Sequence, residues 1–251
     1  MDKLDGKVAL VTGANRGIGK GIARGLAAEG ANLVIAARDA GKLEEAAAEI
    51  GALGVEVLSV PTDVTEEEQV DALFERAMER FGRLDILVNN AGAFDGGPIE
   101  SLDVESWNKV IGVCLTAAFL GTRAAFRIMK PQGGGRIINV GSISAQRARM
   151  HSAPYTSAKH GIWGLTQATA IEGREHGIVV SCLHPGNVQV ERRMQEATEE
   201  GNSGMVVQGD EPMMSVDEIA EVAVHMAALP PHVNFLEAIV LPTEQSYIGR
   251  G

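Results

Sequence analysis

The clearest signal of the fold is VALVTGANRGIGKGIARGLAAEG, residues 8–30. Its first five residues are apolar or β-branched, which is the pattern of a short buried strand. Three glycines follow, and apolar residues then recur at helical spacing at positions 18, 22 and 26. A strand, a glycine-rich turn and a helix in this order predict the first unit of an α/β protein.

The same alternation continues along the chain. Apolar runs predict seven strands, at residues 8–12, 33–37, 55–60, 84–88, 136–140, 178–183 and 236–241. Helical periodicity predicts six helices between them, including 42–50, one opened by Thr65 and Glu68 in a capping-box pattern, a long one within 104–129, one at 155–172, and one capped by Ser215 and Glu218. This pattern predicts a Rossmann-type, doubly wound parallel seven-stranded sheet with helices on both faces.

Length and composition favour one domain. The chain has 251 residues, 45% of them hydrophobic, and residues 1–251 are predicted to share one core. The formal charge of −11 argues against nucleic acid as a partner. The charged first residues lack the pattern of a signal peptide, and no apolar stretch is predicted to cross a membrane. Two cysteines cannot form a disulfide framework, so a cytoplasmic location is expected.

One long segment, residues 187–214, has no predicted helix or strand. It is rich in Gly, Glu and Met. Irregular loops of this length are uncommon in compact domains unless they have a function. We therefore predict a substrate lid at 187–214, and a surface insertion is the alternative.

The glycine-rich turn suits phosphate binding. Gly13, Gly17 and Gly19 let the main chain turn sharply and place no side chain between it and a phosphate. The helix that follows directs free N–H groups toward such a ligand. A nucleotide phosphate site is predicted here, and an ordinary strand–helix turn is the alternative.

Several motifs occur in a fixed order along the chain. They are TGANRGIG (12–19), NNAG (89–92), Ser142, YTSAK (155–159) and HPG (184–186). With this set the chain resembles the short-chain dehydrogenase/reductase family over nearly its whole length. The resemblance implies hydride transfer between a nicotinamide cofactor and a small carbonyl or alcohol substrate. It also implies a homodimer or homotetramer.

The resemblance further implies which residues hold the cofactor. They are Gly13, Asn15, Arg16, Gly17, Ile18, Gly19, Arg38, Asp63, Val64, Asn90, Ala91, Gly92, Tyr155, Lys159, Pro185, Gly186 and Val188. In the family pattern Asp63 touches the adenine ring, and Val188 offers its N–H group to the nicotinamide carboxamide. A threonine that is frequent in the family is replaced here by Val190.

NADP(H) is the predicted cofactor, and NAD(H) is less favoured. In dinucleotide-binding folds an acid near the end of the second strand holds the ribose 2′-hydroxyl, whereas an arginine accommodates a 2′-phosphate. The family position for that acid is Ala37, followed here by Arg38, and Arg16 lies in the glycine turn. Two guanidinium groups can converge on one phosphate. Asp39 is the counter-argument, and we expect it to point elsewhere.

Catalysis is predicted for Ser142, Tyr155 and Lys159. Tyr155 and Lys159 are four residues apart, which places them on one face of a helix. A neighbouring ammonium favours the phenolate form, so Tyr155 would work as general acid in reduction and general base in oxidation. Ser142 precedes Tyr155 by 13 residues, which matches the family serine that hydrogen-bonds the substrate oxygen. Ser144 is the competing candidate.

Cys114 departs from the family pattern. It lies in the apolar run VIGVCLTAAF, residues 110–119, on the buried face of a predicted helix, where a thiol is expected to be inert. In the family an asparagine at this position opens the helix and holds a water behind the lysine. A thiol holds water poorly, so we expect an impaired or rerouted proton relay. The alternative function is therefore an NADP(H)-binding protein with weak or no catalysis, either a redox sensor or a partner-binding subunit.

The remaining polar and apolar candidates are weaker. The six histidines show no metal-binding spacing, so no metal site is predicted. His184 is expected to be a packed residue at a strand end, whereas His151 is a candidate substrate contact. Candidates for an apolar substrate pocket are Phe94, Met150, Met194, Met205, Met213 and Met214.

Overall fold

A seven-stranded parallel sheet forms the centre of the molecule, whose computed structural model describes residues 3–190 and 212–247. The strands are β1 (Val8–Thr12), β2 (Asn32–Ala37), β3 (Val57–Pro61), β4 (Ile86–Asn89), β5 (Gly135–Val140), β6 (Ile178–Pro185) and β7 (Glu237–Val240). Their order in the sheet is β3-β2-β1-β4-β5-β6-β7, and every neighbouring pair is parallel. The predicted doubly wound fold is confirmed.

Helices cover both faces of this sheet. They are α1 (Gly17–Ala28), α2 (Ala40–Gly51), α3 (Glu67–Phe81), α4 (Val104–Ile111), α5 (Ala117–Gln132), α6 (Ala153–Gly173) and α7 (Val216–Ala228). Alternate residues of β1 face opposite layers: Ala9 and Val11 pack with α1, α2 and α7, whereas Val8 and Leu10 pack with α3 and α5. Burial on both faces explains why the strands read as continuous apolar runs.

The strand order places a crevice at the carboxyl ends of β1 and β4. From β1 the chain proceeds to β2 and β3 on one side, and β4 begins the other half of the sheet. Ligands of open α/β sheets bind at such a point, where the strand order reverses. The connections that follow β1 and β4 contain the glycine turn and the NNAG motif.

The predicted long helix is present, and its α-helical hydrogen bonding is broken by one π-helical turn. α4 and α5 are joined by a π-helical turn, Gly112–Thr116, in which the N–H of Ala117 bonds the carbonyl of Gly112. The combined helix, Val104–Gln132, has the length and hydropathy of a membrane span, with a mean hydropathy of 1.4 in its most apolar window. Half of that window is buried within the fold, as in the core helix of an α/β protein.

One predicted helix start is wrong. α3 begins at Glu67 with Glu66 at the N-cap and no side-chain cap. The N–H and the hydroxyl of Thr65 instead donate to Oδ1 of Asp63, at 3.0 and 2.7 Å, so this hydroxyl does not cap the helix. The capping box of Ser215 and Glu218 is confirmed.

The predicted lid lies mostly outside the described residues. Its first part is anchored, because Val188 forms an isolated parallel bridge with Met214. The N–H of Met214 donates to the carbonyl of Asn187 at 2.9 Å, and the N–H of Gln189 donates to the carbonyl of Met214 at 2.8 Å. The two ends of the segment therefore meet at the edge of the crevice, and the lid stays a prediction.

Candidate active site

One cavity of about 520 Å³ occupies the crevice. All the predicted cofactor and catalytic residues line it: Gly13, Asn15, Arg16, Gly17, Ile18, Gly19, Arg38, Asp63, Val64, Asn90, Ala91, Gly92, Ser142, Tyr155, Lys159, Pro185, Gly186 and Val188. These residues come from the ends of β1 to β6 and from α6. The tertiary structure therefore brings the predicted site residues together, whereas Asn89 and His184, which belong to the NNAG and HPG motifs, do not line the cavity.

The glycine turn has the geometry of a phosphate cradle. Gly13 and Gly17 adopt positive φ values of +67° and +55°, which disfavour other residues. A Cβ atom on Gly19 would lie 2.3 Å from both Nδ2 of Asn90 and the carbonyl oxygen of Gly13, so only glycine fits. α1 starts with Arg16 at its N-cap and no side-chain cap, which leaves its first N–H groups available. A dinucleotide pyrophosphate fits this arrangement.

Hydrogen bonds join the glycine turn to the NNAG turn. The hydroxyl of Thr12 accepts the N–H groups of Asn90 and Ala91, at 3.0 and 3.1 Å. The side chain of Asn90 donates to the carbonyl of Thr12 at 2.9 Å and to that of Gly13 at 3.2 Å. The two sides of the crevice floor are thus held at a constant separation.

Charged residues that line the cavity follow the ends of β2 and β3. Arg38 is largely exposed, and its Nη1 lies 3.9 Å from Oδ2 of Asp63. Burial raises the pKa of Asp63, but the two hydrogen bonds from Thr65 and the charge of Arg38 together outweigh burial, so that the pKa is lowered. Asp39 also lines the cavity, and its Oδ1 accepts the N–H of Lys42 at the start of α2. This bond directs the Asp39 carboxylate toward the helix.

Lys159 is buried next to Tyr155. Its side chain is on α6, its exposure is 4%, and its Nζ donates to the carbonyl of Val140 at 2.8 Å. The same Nζ lies 5.6 Å from the centre of the Tyr155 ring. Phe94 contacts that ring as well, with 5.4 Å between the ring centres. The phenol therefore stands between an apolar ring and a shielded cation.

Ser142 is held at the start of a short 3₁₀ turn, Ile143–Ala145. Its hydroxyl oxygen accepts the N–H of Ser144 at 3.1 Å. Nδ1 of His184 lies 3.2 Å from the N atom and 2.9 Å from the O atom of Ser142. Ser144, the competing serine, also lines the cavity but is 3% exposed, whereas Ser142 is more accessible. The geometry favours Ser142.

His184 is packed below the cavity, as expected. Its ring is fully buried and meets Trp163 edge-on at 5.9 Å. Its Nε2 has no hydrogen bond and lies 3.4 Å from Oε1 of Glu237. Burial lowers the pKa of His184, and Lys159 adds to this effect, whereas Ser142 and Glu237 oppose it. Burial also raises the pKa of the nearby Cys182 thiol to about 12.

Cys114 lies in the middle of the π turn. It is 2% exposed and packs with Val110, Ala158 and the Tyr155 ring. The helix opens at Gly112–Thr116 although a cysteine stands where the family pattern has an asparagine. The impaired or rerouted proton relay stays a prediction. π turns of this kind occur frequently at functional sites.

The sequence patterns did not predict several contacts that support the site. Asn187 is fully buried, its N–H donates to Oε1 of Gln245 at 2.9 Å, and its Oδ1 accepts from Nη2 of Arg149 at 3.1 Å. Between the adjacent strands β4 and β5, Nδ2 of Asn89 donates to Oδ1 of Asn139 at 2.9 Å. None of these pairs has a short sequence separation that a local pattern could report.

The candidate substrate-contact residues lie in different parts of the structure. Phe94 lines the cavity, whereas Met150 and Met213 are exposed and Met214 is in the core. Met194 and Met205 lie outside the described residues. His151 does not line the cavity, and its φ of +58° marks a strained turn. Within residues 3–190 and 212–247, no group of three or more His, Cys, Asp or Glu side chains could hold a metal ion.

The fold and this cavity define a dinucleotide-binding oxidoreductase of the Rossmann class. The model of the short chain dehydrogenase family matches residues 7–201. The chain therefore belongs to the short-chain dehydrogenase family, and it is an NAD(P)-dependent enzyme.

Named relatives agree with this assignment. The chain is 44% identical over 194 residues to trans-4-hydroxycyclohexanecarboxylate dehydrogenase of Sinomonas cyclohexanicum, covering 75% of this chain and 74% of that protein. It is 37% identical over 239 residues to D-beta-hydroxybutyrate dehydrogenase of Cupriavidus necator, covering 90% and 92%. A metagenomic short-chain oxidoreductase in complex with NADP superposes with a TM-score of 0.82 at 34% identity, covering 96% and 99%.

Proposed function

We propose that this protein is an NADP(H)-dependent reductase or alcohol dehydrogenase in which Tyr155 is the general acid and base. One observation carries the proposal: a single cavity contains the phosphate cradle at one end and Ser142, Tyr155 and Lys159 at the other. The cofactor, when bound, supplies or accepts the hydride at its nicotinamide ring. The residues of the chain orient the substrate and move the proton.

The catalytic residues have distinct tasks. The Ser142 hydroxyl accepts the N–H of Ser144, so its own hydrogen remains available for a substrate oxygen. Tyr155 gives its proton to that oxygen in reduction and removes it in oxidation. The buried cation of Lys159 near the ring stabilises the phenolate that remains.

We infer a preference for NADP(H) over NAD(H). No carboxylate occupies the end of β2, where Ala37 lines the cavity, and Arg38 and Arg16 line it nearby. The bond from the Lys42 N–H group engages the Asp39 carboxylate away from the ribose. The NADP bound to the metagenomic relative supports the same choice.

The substrate is proposed to be a small carbonyl compound or the corresponding alcohol. Two of the relatives described above are named as dehydrogenases of hydroxy acids, which supports this class. We further propose a homodimer or homotetramer in the cytoplasm, with residues 187–214 as a lid. Nucleic acid and membranes are not proposed partners, because the chain carries a net charge of −11 and the apolar helix is a core element.

The test is oxidation of NADPH with a panel of small ketones by the parent and by Tyr155→Phe. We expect the variant to lose about two to four orders of magnitude in kcat, the usual contribution of a positioned acid or base. NADPH affinity, measured by calorimetry, should change little. Binding without turnover in the parent, and no difference from Tyr155→Phe, would instead support the non-catalytic alternative, which the intact Ser142, Tyr155 and Lys159 do not favour.

A further inference from the structure

Arg149 is a positively charged residue on the catalytic side of the cavity. It lies on the connection between β5 and α6, and so between Ser142 and Tyr155 in the chain, and all three line the cavity. It is half-buried, and its Nη2 donates to Oδ1 of Asn187 at 3.1 Å. The sequence motifs gave it no role.

The turn that contains Arg149 is fixed by hydrogen bonds. The hydroxyl of Ser152, which is 2% exposed, accepts the N–H of Arg149 at 3.3 Å and donates to its carbonyl at 2.7 Å. Gly96 packs so closely against this turn that a Cβ atom there would lie 2.0 Å from the carbonyl oxygen of His151. The guanidinium is therefore presented to the cavity from a rigid support.

Among the residues that the structure describes, no carboxylate in the cavity balances the charge of Arg149. The acidic residues in the described lining are Asp39 and Asp63, which follow β2 and β3. Three strand spacings separate β2 from β5, or roughly 14 Å. No ion pair forms between Arg149 and a carboxylate in the described ranges of the chain.

Within the described part of the chain, most of the hydrogen-bonding capacity of the Arg149 guanidinium is also unused. A guanidinium has five N–H donors, and one of them is directed at Asn187. Lys159, the other cation on this side, already donates to the carbonyl of Val140. A planar fork of donors in a partly desolvated pocket matches a carboxylate better than any neutral group.

We propose that Arg149 binds a carboxylate of the substrate, so that the enzyme acts on a keto acid and its hydroxy acid rather than on a neutral ketone. This inference rests on the proposed function, because it assigns the substrate class of the same site. Arg149 would hold the carboxylate while Ser142 and Tyr155 hold the reacting oxygen. The distance between these residues would then set the number of carbon atoms between the carboxylate and the carbonyl group of the substrate.

The experiment compares acids with their methyl esters. NADPH-dependent kcat/KM is measured for 3-oxobutanoate, 4-oxopentanoate and 5-oxohexanoate and for the three esters. We expect the acid of fitting length to be preferred over its ester by about ten- to hundredfold, the usual effect of a charge-assisted hydrogen bond. Arg149→Gln should remove this preference and keep a donor for Asn187, and Arg149→Lys should retain part of it.

The control is Arg147→Gln, since Arg147 is exposed, stacks on the Tyr247 ring and does not line the cavity. It should leave the acid-to-ester ratio unchanged. If Arg149→Gln lowers acid and ester equally, or weakens NADPH binding instead, Arg149 supports Asn187 or the cofactor and the inference is wrong.

A binding measurement separates this inference from the proposed function. Calorimetry measures the affinity of the parent and of Arg149→Gln for butanoate and pentanoate. These acids have no ketone, so binding is measured without turnover. Binding that depends on Arg149 supports the carboxylate site even if no ketone is reduced. Turnover of esters with no preference for acids leaves the proposed reductase intact and overturns the carboxylate site.

Discussion

The thiol of Cys114 and the main chain of Ala93 exchange two hydrogen bonds. Sγ accepts the N–H of Ala93 at 3.3 Å and donates to its carbonyl oxygen at 3.1 Å. The pair joins the π turn of the long helix to the loop that follows β4 and the NNAG motif. The single S–H donor of Cys114 is thereby used, which leaves it little capacity to hold a water for Lys159.

The first prediction concerns this thiol. Cys114→Asn adds donors that can serve both Ala93 and a water. We therefore expect kcat to rise by up to about tenfold, which is a fraction of the contribution of proton transfer, or the pH profile of kcat to shift. Steady-state kinetics between pH 6 and 10 measures this. Cys114→Ser, which keeps both bonds to Ala93, is the control and should resemble the parent. An Asn variant identical to the parent would mean that the relay does not need this side chain.

The second prediction concerns cofactor choice. Arg38→Ala should weaken NADPH by about tenfold and NADH by much less, because only NADPH has a 2′-phosphate for a charge-assisted bond. Equilibrium titration of both cofactors measures the two dissociation constants. Arg76→Ala removes another exposed arginine, on α3 and away from the cavity, and should change neither. Equal losses for the two cofactors would contradict a role of Arg38 in phosphate recognition.

The third prediction is a dependence of stability on pH through His184. Burial lowers the pKa of this imidazole in the folded protein, with Lys159 on α6 adding to the effect and Ser142 and Glu237 opposing it. Below a pH of about 6.5 the His184 imidazole is protonated in the unfolded chain, whereas in the folded chain it takes up the proton only at a lower pH. The free energy of unfolding should therefore decrease as the pH falls below that value, and level off below the folded pKa.

Urea unfolding at pH 7, 6 and 5 measures this slope. His184→Gln removes the titrating group, so the decrease between pH 7 and 5 should be smaller in the variant. Because each such group contributes at most about 1.4 kcal/mol per pH unit, the difference is measurable. The same slope in both proteins would assign the effect to other groups.

The fourth prediction concerns Asp85, which ties the start of β1 to the start of β4. Its carboxylate accepts hydrogen bonds from Nε and Nη2 of Arg83, at 2.8 and 2.6 Å, and from the N–H of Val8 at 3.0 Å. Burial raises the pKa of Asp85, but these bonds outweigh it and hold the pKa below its usual value. The stabilisation is thus present above a pH of about 4 and is lost as the pH falls through the folded pKa.

We expect Asp85→Asn to lower the free energy of unfolding at pH 7 by about 2 kcal/mol, the scale of hydrogen bonds to a charged group. Urea unfolding measures it. Asp5→Asn, at an exposed position near the chain start, should have little effect. A loss at Asp85 that persists undiminished below the folded pKa would show that packing, rather than charge, is responsible.

Local periodicity was sufficient for much of the architecture. Apolar runs located the seven strands to within two residues at each end, because burial on both faces leaves little choice of residue. The i, i+4 spacing of Tyr155 and Lys159 predicted their common helix face correctly. Thr65 shows the limit of such patterns. The spacing of a capping box is present, but the Thr65 hydroxyl donates to the carboxylate of Asp63 and does not cap the helix.

Motifs and local periodicity were enough to predict the fold class, the glycine turn and many of the residues that line the cavity, because these depend on contacts within an element or on motifs at strand ends. Other lining residues, Arg149 among them, had no motif to mark them. The pairing of Cys114 with Ala93, of His184 with Ser142, and of Arg149 with Asn187 came from the tertiary structure alone. These partners are 21 to 42 residues apart in the chain. They meet because strand order places their loops side by side, and that order depends on packing over the whole sheet rather than on any local pattern.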